Sequence, residues 1–115
     1  MQTHHLVLPG DLNHHGFLFG GRLLAWVDEA CWIAASLEFP QCRFVTVGMD
    51  RVEFHHGVRQ GAILTISCTL SHEGTTSVCY AVEVRDEKAG SDPIFSTRVT
   101  LVNVDEAGRK RPVRE

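Results

Sequence analysis

The stretch that decides the fold is residues 11–39, which read DLNHHGFLFGGRLLAWVDEACWIAASLEF. Its first half is a polar, glycine-containing loop that ends in Gly20 and Gly21. Its second half repeats apolar residues at helical spacing, which predicts one long helix over 22–37. Because apolar residues lie almost all round this helix, we expect the rest of the chain to wrap it.

Two adjacent acids, Asp28 and Glu29, lie inside the predicted helix. Asp28 comes four residues after Leu24 and four before Trp32, so it projects from an apolar face. An aspartate there costs free energy unless it is paired or has a chemical role. Glu29 lies one position further round, where we expect a surface or interface acid. Asp28 is therefore the first candidate for chemistry, and a structural acid is the alternative.

The composition is that of one globular domain over residues 1–115, with 105–115 expected to be a partly ordered tail. Apolar residues make up 43% and charged residues 22% of the chain. A net charge of -3 argues against a general nucleic-acid binder, and no apolar run is long enough for a membrane span. No signal-peptide pattern is visible at the N-terminus. The four cysteines show no paired spacing, so we expect reduced core residues in a cytoplasmic protein.

After the helix the apolar spacing changes to the twofold repeat of β-strands, and before the loop a short apolar run ends at Pro9 and Gly10. We expect a strand over 3–8 before the loop and four strands after the helix, at 43–54, 62–71, 78–85 and 94–104. Tight turns over 72–75 and 88–93 join successive strands, which predicts an antiparallel sheet, and Gly48 suggests a bulge. The fold class is therefore α+β and hotdog-like, with a long central helix wrapped by a curved antiparallel β-sheet.

A family resemblance begins with the pattern D-x-N-x-x-G-x-x-F-G-G over 11–21, followed by the acidic pair in the helix. This pattern resembles the acyl-CoA thioesterases of the hotdog superfamily, in the branch of the bacterial YciA-type and mammalian cytosolic acyl-CoA hydrolases. The segments 49–56, 58–61 and 102–113 are similar to later parts of the same family. The resemblance covers nearly the whole chain.

Two features depart from the family pattern. Gly57 stands where many relatives carry proline, which predicts a less rigid loop. Phe17 and Leu18 are bulky within a loop that borders the acyl site in the family, so we expect a narrower or more apolar entrance. Neither departure removes a position to which the resemblance gives a catalytic role.

The helix N-terminus and Asp28 offer the parts that thioester hydrolysis needs. The leading amides of a helix lack intrahelical partners, and Gly20 and Gly21 would let a thioester oxygen approach them as an oxyanion hole. Asp28 would deprotonate water or attack the carbonyl itself, and both routes remain open. By the resemblance, Asn13 holds water or substrate from the facing protomer. The alternatives are a tight turn at the glycines and an Asx-turn or helix cap at Asn13.

The resemblance also implies residues that contact the substrate. These are His14, His15, Phe19, His55, His56 and Arg59, together with Arg109, Lys110 and Arg111, whose side chains could bind the phosphates of coenzyme A. For the last three residues a solvated chain end is an equal alternative. The histidine pairs raise the idea of a metal site, but no metal-ligand motif is present, so we expect none.

The function that the resemblance implies is hydrolysis of acyl-CoA thioesters without a metal or redox cofactor, coenzyme A being part of the substrate. The alternatives are a non-catalytic acyl-CoA or lipid sensor, and a hotdog dehydratase or hydratase. The dehydratases usually rely on a catalytic histidine, whereas the predicted helix contains none. We expect a homodimer because one thin sheet leaves an edge uncovered. The resemblance suggests a trimer of dimers, a hexamer, with no nucleic-acid or membrane partner.

Overall fold

The computed structural model describes residues 1–90 and 92–114 and confirms the predicted order of one helix and five strands. Element boundaries lie within two residues of those expected. Residue 91, in the predicted turn before the last strand, and residue 115, at the end of the predicted tail, lie outside the described residues. The elements are β1 (Gln2–Leu6), a 3-10 turn (Pro9–Asp11), α1 (Gly20–Glu38), β2 (Phe44–Phe54), β3 (Ile63–Glu73), β4 (Ser77–Asp86) and β5 (Pro93–Asn103).

The five strands form one antiparallel sheet in the order β1-β3-β4-β5-β2. Hairpins join β3 to β4 and β4 to β5, whereas β2 follows the helix and pairs with β5 alone. Within the described part of the chain, β1 and β2 are therefore the two edge strands. The edge at β2 is long, and an unpaired edge of this length offers backbone groups to another strand.

One face of α1 packs on the sheet, which confirms the helix-on-sheet architecture. The helix residues in this contact are small or branched, so the helix axis can lie close to the strands. They meet apolar side chains that alternate along β3, β4 and β5, each stabilising the fold by about 1.5–3 kcal/mol when fully buried. The buried helix residues are Leu23, Val27, Ala30, Cys31, Ala34 and Ala35.

The helix is not covered on all sides by its own chain, as expected of one thin sheet. Trp32 and Leu37 are 47% and 71% exposed. Val45 and Val47 on β2 are exposed as well. One five-stranded sheet covers a single face of a helix, so the flank of α1 beside β2 and the edge strand itself remain open.

Two bulges bend β2 over the helix. The register shifts between Thr46 and Gly48, where an irregularity was expected, and again between Asp50 and Glu53. Arg51 in the second bulge has φ +57°, a left-handed conformation that β-bulges can impose. After it, Phe54 pairs with Phe95, and their ring centroids lie 5.0 Å apart. The second bulge therefore directs Phe54 towards the start of the helix.

Residues 105–114 fold back onto the domain, which differs from the expected partly ordered tail. Asp105 accepts hydrogen bonds from the amides of Ala107 and Arg109 at 2.9 Å each, forming a tight turn. Val113 is 1% exposed, and its amide donates to the Thr75 carbonyl at 2.8 Å. Buried Asn103 accepts from the Arg43 amide at 2.7 Å. One apolar anchor in a basic segment has no periodicity, so the sequence pattern did not reveal this docking.

The cysteines are free thiols. Cys31 on α1 and Cys68 on β3 are buried, with their sulfur atoms 3.7 Å apart. The hydrogen bond to Cys68 and burial both raise the pKa of the Cys31 thiol, which keeps it protonated and unreactive. Within residues 1–90 and 92–114, no helix has the length and apolar character needed to cross a bilayer.

Candidate active site

The N-terminus of α1 leaves two backbone donors available. The Phe19 carbonyl caps the helix by accepting from the amides of Arg22 and Leu23 at 3.0 and 3.2 Å. Among the described residues, no acceptor is hydrogen-bonded to the amides of Gly20 and Gly21. These amides lie at the positive end of the helix dipole, where they can bind an oxygen that carries negative charge. Both glycines are the first residues of the helix rather than the end of the loop.

Neighbouring rings explain why the first helical residues are glycines. A Cβ atom at Gly20 would lie 3.3 Å from Cζ of Phe54, and one at Gly21 would lie 3.0 Å from Cε2 of Phe19. Phe19 itself is 57% exposed. The absence of side chains therefore lets aromatic rings approach the helix terminus closely on two sides.

A cavity of about 330 Å³ opens beside this helix terminus. It brings three predicted site residues together: Gly20, His55 and His56. The backbone amides of the two histidines are held by the Ile94 carbonyl at 2.8 and 3.4 Å, and their side chains are exposed. The cavity lining is completed by Leu18, Leu23, Phe54, Gly57 and Val58.

Asn13 shapes the loop before the helix. Its Oδ1 accepts hydrogen bonds from the amides of His15 and Phe17 at 2.9 and 3.2 Å, which is the Asx-turn alternative. Gly16 turns the loop with φ +84°. His14 and His15 are exposed, with ring centroids 3.9 Å apart. Because Oδ1 is already occupied, Asn13 keeps only its Nδ2 donors for a ligand.

Asp28 lies on the flank of α1 that faces the edge strand. Its Oδ1 accepts a hydrogen bond from Oγ1 of Thr46 on β2 at 2.5 Å. The side chain is half-buried, and among the described residues it forms no ion pair. Glu29 is exposed, as expected. The aspartate is therefore held at one oxygen and open at the other, beside the unpaired edge of the sheet.

Thr46 is a site residue that the sequence analysis did not identify. It lies two positions after buried Phe44, so the strand alternation places both side chains on the inner face. The alternation alone could have placed Thr46 on the inner face. It could not predict the contact with Asp28, because that contact depends on the helix lying above this part of β2. The Trp32 indole nitrogen donates to the Phe44 carbonyl at 3.1 Å and fixes that arrangement.

The glycine amides and Asp28 of one chain do not meet. Asp28 comes eight residues after Gly20 in the same helix, a separation of about 12 Å along the axis. A general base must approach its proton within about 3 Å. The two groups of a single chain are therefore too far apart for direct contact.

The predicted cations divide between opposite ends of the sheet. Arg59 lies next to the cavity wall, with its guanidinium carbon 4.4 Å from the centroid of the Phe17 ring. The other three cations follow the last residue of β5, whereas the cavity lies at its first residues, about 30 Å away along the strand. These three exposed cations are Arg109, whose nearest carboxylate is Asp105 at 3.9 Å, Lys110 and Arg111.

The described ranges contain no group of three or more histidine, cysteine, aspartate or glutamate side chains that could hold a metal ion. The histidine pairs lie in separate places: His5 stacks on Trp26 with centroids 4.6 Å apart, and His4 contacts Thr65 at 3.1 Å. These histidines have structural partners and no contact with the cavity.

A family model described as the thioesterase superfamily matches residues 15–91. The chain belongs to the thioesterase superfamily. The matched range of this superfamily member includes the cavity, the helix terminus and Asp28. It confirms the resemblance drawn from the motif over 11–21.

Two curated relatives and one solved structure show how far the similarity extends. The human cytosolic acyl coenzyme A thioester hydrolase is 30% identical over 95% of this chain, which spans about 30% of the length of that relative. The acyl-CoA thioester hydrolase YciA of Salmonella typhimurium is 32% identical, with coverage of 94% of this chain and 85% of the relative. A hexameric thioesterase from Yersinia pestis superposes with a TM-score of 0.88 at 31% identity, covering 96% of this chain and 91% of that one. These matches confirm the hotdog fold.

Proposed function

We propose that this protein hydrolyses acyl-CoA thioesters to a free carboxylic acid and coenzyme A, with water as the co-substrate and no metal or redox cofactor. Family membership and the activities named for the human and Salmonella relatives support the proposal. The observation that carries it is the pair of unpartnered amides, of Gly20 and Gly21, at a helix terminus beside a cavity. We place the protein in the cytoplasm, as the name of the human relative suggests for that protein.

The helix terminus would act on the thioester carbonyl. As water attacks, negative charge grows on the carbonyl oxygen, and preorganised donors stabilise that charge more than the ground state. Gly20 and Gly21 supply backbone N–H groups, and the Nδ2 group of Asn13 supplies another donor. The occupied Oδ1 of Asn13 supports a donating role over an accepting one.

Asp28 would provide the base or the nucleophile. As a base it takes a proton from water, the resulting hydroxide adds to the carbonyl, the C–S bond breaks, and the thiolate of coenzyme A takes up a proton. As a nucleophile it forms an anhydride that water then cleaves. In both routes Thr46 holds Oδ1 and leaves Oδ2 for the chemistry, which is supported by the 2.5 Å hydrogen bond between the two side chains.

The separation of about 12 Å between Gly20 and Asp28 supports a site shared between two chains. Asp28 and Thr46 lie beside the open edge of β2, where a second copy could pair its own β2 and bring its helix terminus close. The exposed Trp32, one helical turn after Asp28 on the flank of α1, would be covered by that pairing. Each site would then take Asn13 and the glycines from one chain and Asp28 from its partner.

The dimer would assemble further into a trimer of dimers, since the Yersinia pestis relative is described as hexameric. His14, His15, Phe19, His55, His56 and Arg59 would surround the coenzyme A arm near the cavity. Arg109, Lys110 and Arg111 lie too far from the cavity of their own chain, so they would bind coenzyme A phosphates only at a neighbouring chain's site.

A thiol-release assay with a panel of acyl-CoA substrates tests this function. We expect one free thiol for each acid produced, in the absence of added metal and with chelator present. Thermal stabilisation by acyl-CoA without thiol release would contradict hydrolysis and indicate a sensor. Formation of an enoyl or hydroxyacyl product with the thioester intact would indicate a dehydratase or hydratase.

A further inference from the structure

The Phe17 ring makes two contacts that the proposed chemistry does not explain. The ring lies beneath the Arg59 guanidinium, whose central carbon is 4.4 Å from the ring centroid. The ring also occupies the space where a side chain at position 57 would begin. A Cβ atom at Gly57 would lie 2.8 Å from Cδ1 and 3.0 Å from Cε1 of Phe17. Real Cβ atoms do not approach a ring this closely, so Gly57 and Phe17 are sterically matched.

Backbone conformation does not explain the glycine at position 57. Gly16 and Gly61 have φ +84° and +86°, where other residues are strained, whereas Gly57 is not among the glycines with positive φ. The remaining reason for a glycine is the missing Cβ. A hydrogen bond of 2.7 Å from the Leu18 amide to the Val58 carbonyl ties the two loops together at this point. The ring therefore stays at the wall of the cavity, which Gly57 and Val58 line.

Arg59 carries a charge that no carboxylate balances within the described residues. The ion pairs of the described ranges use Arg22, Arg85, Arg109 and Arg114 instead. A guanidinium stacked on a ring keeps its N–H donors free at the edges and loses little conformational freedom on binding. Its planar fork matches a phosphate group, which accepts two parallel hydrogen bonds.

We propose that Phe17 is a positioning residue that holds the Arg59 guanidinium at the cavity mouth to bind a phosphate of coenzyme A, and that Gly57 leaves the space which the Phe17 ring requires. This inference rests on the proposed function. With the thioester at the helix terminus, the pantetheine arm leads outward through the cavity, and the phosphates emerge at its mouth. Arg59 directly follows Val58 of the cavity wall in the chain, so its guanidinium is available to phosphates that leave the cavity there.

The test compares two thioesters of the same acid, one of coenzyme A and one of pantetheine, which lacks the nucleotide phosphates. Arg59→Ala should raise KM for the coenzyme A thioester about tenfold, as expected for a hydrogen bond to a charged group. Phe17→Leu should raise it about two- to fivefold, and Phe17→Tyr, which keeps the ring, should restore it. The kcat values and KM for the pantetheine thioester should not change.

Gly57→Ala tests the steric match. The added methyl group should displace the ring from Arg59 and raise KM for the coenzyme A thioester by about the same two- to fivefold factor. In the Phe17→Leu background the same change should add nothing, because the coupling partner is already absent. Arg114→Ala is the matched control, because its guanidinium also stacks on a ring, that of Phe39, and pairs with Glu73 at the last residue of β3, away from the cavity. It should leave both KM values unchanged.

Three results would overturn the inference. The first is an equal rise in KM for both thioesters, which would mean that Phe17 only packs the loop. The second is a parental KM in Phe17→Leu, and the third is an additive effect of Gly57→Ala in that background. If the parental protein released no thiol, the proposed function would fail instead. Calorimetric affinities for coenzyme A and pantetheine would then test the Arg59–Phe17 pair separately, with the same variants and the same expected ratios.

Discussion

At the scale of single residues, the candidate chemistry depends on which oxygen of Asp28 is free. Thr46 occupies Oδ1, and within the described residues no lysine or arginine neutralises the carboxylate. A carboxylate held by one neutral donor keeps its orientation without losing its ability to take a proton. Replacing Asp28 tests the proton transfer, and replacing Thr46 tests the orientation of the carboxylate.

Replacing Asp28 by asparagine should remove at least a hundredfold of kcat while the fold is kept, since general-base catalysis contributes about 10²–10⁴-fold. Asparagine is nearly isosteric and can still accept the Thr46 hydrogen bond. The measurement is thiol release under saturating substrate, with circular dichroism as the fold check. Glu29→Gln, which alters the exposed acid on the same helix, is the control and should be silent. Parental turnover in Asp28→Asn would make Asp28 a structural acid.

Replacing Thr46 by valine should lower kcat about tenfold, the value of one hydrogen bond to a charged group. The carboxylate would lose the donor that orients it, while KM would change little because no substrate contact is removed. Thr46→Ser keeps the hydroxyl and should restore most of the rate. If valine and serine behaved alike, the hydroxyl would have no orienting role.

At the scale of elements, the C-terminal segment is a structural part of the domain. Val113 is buried, and the side-chain Nε2 of Gln41 donates a hydrogen bond to its backbone carbonyl at 3.2 Å. Arg114 pairs with both carboxylate oxygens of Glu73 at 2.6 and 3.1 Å, on the exposed surface where such a pair adds little stability. The apolar anchor therefore outweighs the ion pair in holding this segment.

Replacing Val113 by alanine should lower the free energy of unfolding by about 2 kcal/mol, from two lost methyl groups and the cavity they leave. Urea unfolding at one fixed protein concentration measures this, because an oligomer's stability depends on concentration. Glu106→Ala, in the exposed turn of the same segment, is the control and should stay within about 0.5 kcal/mol of the parent. If Val113→Ala had the parental free energy of unfolding, the C-terminal segment would contribute little to the stability of the domain.

At the scale of the whole molecule, the proposed active site is divided between two chains. The helix terminus and cavity lie at one place, and Asp28 lies about 12 Å further along the helix beside an open strand edge. A twofold pairing of β2 strands would use the same surface on both chains and would complete both sites at once.

Asn13→Ala and Asp28→Ala should each be inactive alone, yet regain activity when co-expressed. Each mixed dimer would contain one intact site and one with both substitutions. Random pairing makes about half of the dimers mixed, so activity should recover to about a quarter of the parental value. Thiol release by the co-expressed mixture is the measurement, and tagged heterodimers purified from it should show about half of the parental value. Confirmed heterodimers without recovery would show that both residues serve the site of their own chain.

The sequence by itself determined the elements and their order. Apolar spacing, helical and then twofold, marked α1 and the four strands after it, because burial of one face imposes that spacing on any sequence that folds this way. A short apolar run ended by Pro9 and Gly10 marked β1. The motif over 11–21 also led to the family that the comparisons later showed. The Asx-turn at Asn13 was one of the alternatives that the sequence offered, because it depends only on hydrogen bonds to amides within four residues.

Only the tertiary structure decided what lies together across the chain. Thr46 meets Asp28, and the Phe17 ring fills the space at Gly57, because the helix, β2 and two loops converge from distant positions. The docking of Val113, and the roughly 30 Å along β5 between the cavity and the C-terminal cations, likewise depend on contacts between distant parts of the chain. Periodicity records which side of an element is buried but not which element covers it. Contacts between elements are therefore set by the packing of the whole chain.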